Sequence, residues 1–106
     1  MEIGVDIVEM ARLKNVSRHF IERVLTKKEI TIYDLKSDEQ KLTYLAGRFA
    51  GKEAVSKAMG TGIGKIGFQD IEILNDLQGK PYLNIEGAKI SLSHEKNYVI
   101  AFVVID

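Results

Sequence analysis

Two acidic residues, Asp6 and Glu53, occupy positions where the neighbouring residues are apolar. Asp6 lies in a run of isoleucine, valine and glycine whose alternation predicts a strand. Glu53 falls inside the apolar stripe of a predicted helix, about 20° from Leu42 in helical projection. An inward-facing carboxylate is costly unless a cation or several donors compensate it. Together the two carboxylates would form half of a Mg²⁺ site and indicate phosphate chemistry, because Mg²⁺ takes one or two carboxylates and completes its shell with water and substrate phosphates.

Each acidic residue also has an interpretation that needs no metal. Glu53 could form an ion pair with Lys57, one helical turn later, or lie at the solvent edge of the stripe. Asp6 could accept hydrogen bonds from backbone amides at the end of its strand. Spacing alone leaves these alternatives open.

Basic residues within one or two helical turns of Glu53 would support phosphate binding. Arg48, Lys52 and Lys57 fall in this range. For Lys52 we predict only a solvated position on the helix surface. His94 continues the apolar face of a later strand, where a histidine is more often a core residue than a ligand.

Hydrophobic periodicity predicts the elements that position these residues. Residues 2–8 alternate as a strand, and short helices follow over the basic segment 10–30. The longest helix is predicted over 38–59, with Ser37 as N-cap and Gly60 as the C-terminal stop. Shorter strands are predicted over 68–74, 81–85, 89–94 and 98–105. This order predicts one domain over all 106 residues, an α+β fold with a mostly antiparallel sheet.

The last predicted strand, 98–105, is apolar on both faces. Such a strand must be covered on both faces. A chain of this length forms one hydrophobic core, so a second subunit could supply the outer cover. We therefore expect a homo-oligomer.

Composition argues against several classes of protein. Fifteen Lys and Arg balance fifteen Asp and Glu, so the net charge gives no support to a nucleic-acid binder. The chain has no cysteine and therefore no disulfide framework or thiolate zinc site. No stretch is long and apolar enough for a membrane span, so we expect a soluble cytoplasmic protein. The neutral total hides a local bias, with six basic residues against two acidic ones over residues 10–30.

The stretch 62–67 matches the dinucleotide-binding pattern G-x-G-x-x-G. That pattern requires a preceding strand and a following helix, so that a phosphate meets the helix N-terminus. Here a predicted helix precedes the stretch and a strand follows it, which gives the helix dipole the wrong sign. We therefore predict a loop and no nucleotide site of that type.

Two long signatures and three shorter motifs follow one another along the chain. The long ones are residues 4–9 (GVDIVE) and 47–62 (GRFAGKEAVSKAMGTG). The shorter ones are residues 23–26 (RVLT), 79–81 (GKP) and 91–94 (SLSH). In this order they resemble the motifs of the holo-acyl-carrier-protein synthases, and the resemblance covers nearly the whole chain.

This resemblance implies a 4′-phosphopantetheinyl transferase. Such enzymes move phosphopantetheine from coenzyme A to a serine of apo acyl carrier protein, with adenosine 3′,5′-bisphosphate as the second product. The resemblance implies that Asp6 and Glu53 are the magnesium ligands and the catalytic pair. The proton of the serine would pass to Glu53 directly or through a metal-bound water.

The resemblance also implies further contacts and an assembly. By position, the residues that hold the coenzyme phosphates match Arg48, Lys57 and His94. Pro81 lies in the motif near the adenine, and Arg12 matches the contact with the carrier protein. The implied assembly is a homotrimer with active sites between subunits, which agrees with the doubly apolar last strand.

Two other functions remain as alternatives. A homo-oligomeric adaptor that binds an acidic partner would explain the basic segment and the apolar strand, but not the inward-facing Asp6 and Glu53. A Mg²⁺-dependent nucleotide hydrolase would explain the two carboxylates but not the basic segment.

Overall fold

The structure, a computed structural model, describes residues 1–60 and 66–106, which form five strands, three α-helices and two 3₁₀ turns. In chain order these elements are β1 (Glu2–Glu9), the 3₁₀ turn Met10–Leu13, α1 (Arg18–Val24), α2 (Lys27–Asp34), α3 (Asp38–Met59), the 3₁₀ turn Phe68–Asp70, β2 (Ile73–Asn75), β3 (Pro81–Leu83), β4 (Ala88–His94) and β5 (Tyr98–Ile105). The predicted α+β fold, with one long helix and short helices before it, is confirmed.

The strands form two antiparallel sheets. In the larger sheet β5 lies between β1 and β4, and the smaller sheet consists of β2 and β3. Helix α3 packs across one face of the larger sheet. The side chains of β5 on that face, Val99, Ala101 and Val103, are almost completely buried there. The predicted antiparallel arrangement is confirmed, and the core lies between this face and α3.

Helix α3 has the bounds that the sequence predicts, because local signals fix both ends. The Ser37 hydroxyl accepts a hydrogen bond from the backbone N–H of Gln40 at 3.3 Å, which satisfies one of the free amides of the first turn. Gly60 ends the helix with a φ of 72°, a left-handed conformation that favours glycine. Among the helices that the structure describes, none combines the length and the apolar character needed to cross a membrane.

Strand β1 packs unusually close to α3 at Gly4. A Cβ atom at this position would lie 2.0 Å from the carbonyl oxygen of Ala54 and 2.7 Å from the backbone nitrogen of Ala58. Only a residue without a side chain allows this approach. Because successive residues of a strand alternate between its faces, Asp6 lies on the same α3-facing side as Gly4.

The predicted strand over 68–74 is wrong except for its last two residues. Residues Phe68–Asp70 form a 3₁₀ turn, and β2 begins only at Ile73. Two side chains stabilise the turn: the Asp70 carboxylate accepts the N–H of Gly67 at 3.0 Å, and the Gln69 amide donates to three backbone oxygens around the end of α1. Of the predicted glycine-rich loop, residues 61–65 lie outside the described part of the chain, and so does most of the G-x-G-x-x-G stretch.

The outer face of the larger sheet is apolar and exposed. On this face Val5 lies opposite Phe102, and Ile7 lies opposite Ile100. Each of these four side chains is at least 42% exposed. Within residues 1–60 and 66–106, the doubly apolar last strand is therefore covered on one face only.

Candidate active site

Asp6 and Lys57 form an ion pair between β1 and α3. The Nζ atom of Lys57 lies 3.0 Å from Oδ1 of Asp6 and also donates to the backbone oxygen of Val5 at 3.0 Å. Lys57 belongs to the last turn of α3, where the helix dipole favours a cation. Of the two predicted acidic residues, it is Asp6, and not Glu53, that pairs with Lys57.

Glu53 lies one turn before Lys57 on α3 and is half-buried. Burial raises the pKa of its carboxyl group, and the nearby negative charge of Asp6 raises this pKa further, whereas Lys57 lowers it. Within residues 1–60 and 66–106 no salt bridge reaches Glu53. The charge of Asp6 thus acts on Glu53, and Lys57, which forms an ion pair with Asp6, offsets part of that repulsion.

This donor set fits a small divalent cation. Carboxylate oxygens are the ligands that Mg²⁺ prefers, and two are enough when water or substrate oxygens fill the remaining positions. Within residues 1–60 and 66–106, no histidine and no further acidic residue joins Asp6 and Glu53 to form a cluster of three ligands. A cation here would thus be held by these two residues and would need further oxygen ligands from outside the chain.

Arg48 and His94 line a separate cavity of about 1160 Å³. Arg48 is buried, its Nε donates to the backbone oxygen of Ile73 at 3.2 Å, and its Nη2 contacts the amide oxygen of Asn75. Its guanidinium also stacks on the ring of Tyr44, 4.1 Å from the ring centre. These contacts fix Arg48 in place and orient it at the wall of the cavity.

The predicted site residues therefore fall into distinct groups within one chain. Asp6, Glu53 and Lys57 lie together, whereas Arg48 is nine residues before Lys57, about 13 Å along the helix axis. Pro81 lines a smaller groove of about 380 Å³ on β3 and the neighbouring strands. Arg12, the predicted contact with the carrier protein, is exposed on the 3₁₀ turn that follows β1.

Comparison with known proteins gives the family. The sequence model of the 4′-phosphopantetheinyl transferase superfamily matches residues 2–103. The chain belongs to this superfamily. A holo-[acyl-carrier-protein] synthase from Streptococcus equi subsp. zooepidemicus is 46% identical over 110 residues, which cover 97% of this chain and 93% of the relative.

Solved structures of superfamily members share the fold. A holo-(acyl-carrier-protein) synthase from Bacillus anthracis in complex with CoA (3′,5′-ADP) is 42% identical, with a TM-score of 0.91 over 96% of this chain and 92% of that one. The Helicobacter pylori holo-[acyl-carrier-protein] synthase in complex with coenzyme A is 34% identical, with a TM-score of 0.85 over 98% and 99% of the two chains. The α+β arrangement of this transferase-superfamily member is thus that of its relatives.

The prediction that Lys52 is a surface lysine is wrong. In this superfamily member its side chain is completely buried, and Nζ lies 2.6 Å from Oε1 of Glu29 on α2. Nζ also donates to the backbone oxygens of Val24 at 2.7 Å and Phe68 at 3.1 Å. Burial lowers the pKa of Lys52, and the charge of Glu29 opposes that shift. The pair joins α2 to α3 in the core.

Sequence reasoning also missed residues that line the large cavity. Lys28 on α2, Lys36 after it and Tyr44 on α3 lie in its wall. The spacing of Tyr44 and Arg48, four residues apart on one helix, is a signal that could have found the stacked pair. The two lysines carry no such local signal, because α2 and α3 must fold against each other before they face one cavity.

Proposed function

We propose that this chain is a holo-acyl-carrier-protein synthase. It transfers the 4′-phosphopantetheine moiety from coenzyme A to a serine of apo acyl carrier protein and releases adenosine 3′,5′-bisphosphate. The main support is a relative with this name that is 46% identical over 97% of the chain. The pair of repelling carboxyl groups, Asp6 and Glu53, gives the proposal a chemical basis.

The reaction joins the serine oxygen to the phosphorus that carries pantetheine and breaks the bond from that phosphorus to the bridging oxygen. Mg²⁺ held by Asp6 and Glu53 would neutralise charge on the diphosphate and orient it. The serine proton must pass to a base, which is Glu53 or a water molecule beside it. Lys57, 3.0 Å from Asp6, supplies positive charge at the same place.

The large cavity would receive the nucleotide part of coenzyme A. Arg48 and His94 line it, and Lys28 and Lys36 add positive charge to its wall. Phosphate groups bind well to such a cluster because charge-assisted hydrogen bonds are roughly twice as strong as neutral ones. Pro81, in the smaller groove nearby, would contact the adenine.

A homotrimer with active sites between subunits would account for two observations. The exposed apolar face formed by Val5, Ile7, Ile100 and Phe102 needs a cover, and large exposed apolar patches mark interaction sites. Within one chain, moreover, the carboxylate pair and the large cavity lie at different places along α3. Neighbouring subunits would bring the carboxylates of one chain to the cavity of another.

The acyl carrier protein would bind beside Arg12, on the turn that follows β1, and the basic segment would steer this acidic partner. Reversing the charge by Arg12→Glu should therefore raise the KM for the carrier about tenfold and make it less dependent on salt. The KM for coenzyme A should stay the same. A rise in the KM for coenzyme A alone would show that Arg12 does not contact the carrier.

Mass spectrometry tests the proposed activity directly. The protein is incubated with coenzyme A, Mg²⁺ and an apo acyl carrier protein, and the carrier should gain one phosphopantetheine unit. A carrier whose target serine is replaced by alanine is the matched control and should gain nothing. Release of nucleotide without modification of the carrier would instead indicate a hydrolase, and absence of any reaction would contradict the proposal.

A further inference from the structure

Lys57 forms an ion pair with Asp6, whose carboxylate the proposed metal ion needs as a ligand. Its Nζ lies 3.0 Å from Oδ1 of Asp6 and 3.0 Å from the backbone oxygen of Val5. The Lys57 side chain is 56% exposed, whereas that of Asp6 is 16% exposed. Asp6 is fixed by the close packing of β1 on α3, and Lys57 is therefore the partner that can swing away.

An ammonium group and a divalent cation compete for one carboxylate. Both are attracted to the oxygens of Asp6, and their positive charges repel each other at short range. A diphosphate changes this balance in two ways. It offers Lys57 a new anionic partner, and it offers the cation further oxygen ligands.

We propose that Lys57 makes the binding of the metal ion and the binding of the diphosphate ligand depend on each other. Without the ligand, Lys57 neutralises Asp6 and opposes the cation. When the diphosphate binds, Lys57 transfers to its phosphate oxygens and Asp6 becomes available to the metal. This inference rests on the proposed function, and it deepens that function by giving Lys57 control over when the metal site is complete.

A purely structural ion pair would act differently. Lys52 shows what such a pair looks like on the same helix: it is fully buried, and its three donors are all used by acceptors within the chain. Within residues 1–60 and 66–106, Lys57 uses two donors, and more than half of its side chain is exposed. Its third donor and its exposed position suit a group that exchanges one anion for another.

Metal binding without turnover tests this inference. Mn²⁺ takes the same oxygen ligands as Mg²⁺, and its free ion is counted by electron paramagnetic resonance. Binding is measured with and without coenzyme A for the wild type, Lys57→Met and Lys57→Arg. Lys41→Met is the matched control, because it removes the same charge from α3 at a lysine whose nearest carboxylate, that of Asp38, is 3.9 Å away on the surface.

Lys57→Met should bind Mn²⁺ alone more tightly than the wild type, by a factor between about 5 and 150, the usual range for coupled sites. Coenzyme A should then enhance its Mn²⁺ affinity less than it does for the wild type. Lys57→Arg and Lys41→Met should behave like the wild type. Equal or weaker Mn²⁺ binding by Lys57→Met, or an unchanged enhancement by coenzyme A, would overturn the inference.

Two more variants separate this inference from the proposed function. Asp6→Asn and Glu53→Gln should both lose Mn²⁺ binding. If both bind Mn²⁺ like the wild type, the proposed metal site is wrong and the inference falls with it. If both lose Mn²⁺ while Lys57→Met leaves the affinity unchanged, the metal site stands and only the role of Lys57 is wrong. Urea unfolding of each variant verifies that it is folded.

Discussion

Two of the lysine–carboxylate pairs on helix α3 have their lysines only five residues apart, and these two pairs differ in burial. Lys52 and Glu29 are both 0% exposed and lie 2.6 Å apart. Lys57 and Asp6 lie 3.0 Å apart, with side chains that are 56% and 16% exposed. The first pair joins two helices inside the core, and the second joins a helix to a strand at the surface.

The pairs differ also in how fully their hydrogen-bonding groups are used. Both carboxylate oxygens of Glu29 accept hydrogen bonds, including one from the backbone N–H of Ile73 at 2.8 Å. Both side chains are also completely buried, so this pair does not face a ligand in solvent. Next to Lys57, by contrast, the carboxyl group of Glu53 has no salt bridge within the described ranges. A buried ion pair whose charged groups are held by partners within the chain is typical of a structural role. A carboxyl group without a salt bridge, next to another carboxyl group, is typical of a functional site.

The largest expected effect comes from the buried pair. Lys52→Met should lower the free energy of unfolding by about 3–5 kcal/mol, because it leaves the Glu29 carboxylate buried without its cation. Urea denaturation measures this loss, with Lys41→Met as the control at a half-buried lysine of α3 that has no buried carboxylate partner in the described residues. Adding Glu29→Gln should cost much less in the Lys52→Met background than alone. A loss below 1 kcal/mol for Lys52→Met would mean that the buried pair is not structural.

Substitution of the two candidate metal ligands, Asp6 and Glu53, should lower activity and not stability. Glu53→Gln and Asp6→Asn should each lower kcat/KM for transfer on the order of 10²–10³-fold or more. The unfolding midpoint of Glu53→Gln should not fall, since no salt bridge is removed. Steady-state kinetics and urea denaturation of the same preparations separate the two effects. A Glu53→Gln enzyme with near wild-type turnover would remove Glu53 from the proposed site.

Removal of the lysine from the exposed pair should have little effect on stability. Lys57→Met should change the free energy of unfolding by about 1 kcal/mol or less, because solvent screens a pair whose lysine is largely exposed. Its effect should instead be seen in metal and coenzyme binding. A loss as large as that of Lys52→Met would show that both pairs hold the fold together.

The smallest effect is a pH dependence. Burial and the charge of Asp6 raise the pKa of Glu53 above its ordinary value of 4.5. The folded chain therefore binds more protons than the unfolded chain between the two pKa values, and this residue's contribution to stability falls as pH rises through that window. The Glu53→Gln variant has no titrating carboxyl group at this position and does not lose this contribution to stability. In metal-free buffer its stability should thus gain on that of the wild type as pH rises above 4.5, and parallel profiles would contradict the raised pKa.

Features that depend on local sequence could be predicted. The bounds of α3 follow from Ser37 and Gly60, because a cap needs only neighbouring backbone groups. Asp6 and Glu53 could be singled out because each breaks an apolar pattern, and in the structure the charge of Asp6 does raise the pKa of Glu53. Their role as metal ligands stays a prediction.

Features that depend on distant partners could not be predicted. Lys52 has the local pattern of a surface lysine, and its partner Glu29 lies 23 residues away on another helix. The strand predicted over 68–74 is replaced at its start by a turn, because the Gln69 side chain finds the end of α1 through tertiary packing. Likewise, no spacing indicates that Arg48 and His94 share a cavity.

The close approach at Gly4 has a consequence for the candidate site two residues further along the strand. The distance between the acidic groups of β1 and α3 depends on a hydrogen atom standing where a methyl group would lie 2.0 Å from the Ala54 carbonyl oxygen. A residue with no functional group thus sets the spacing between the two proposed metal ligands. Alanine at this position would push the strand and the helix apart and widen that spacing, although neither acidic residue would be changed.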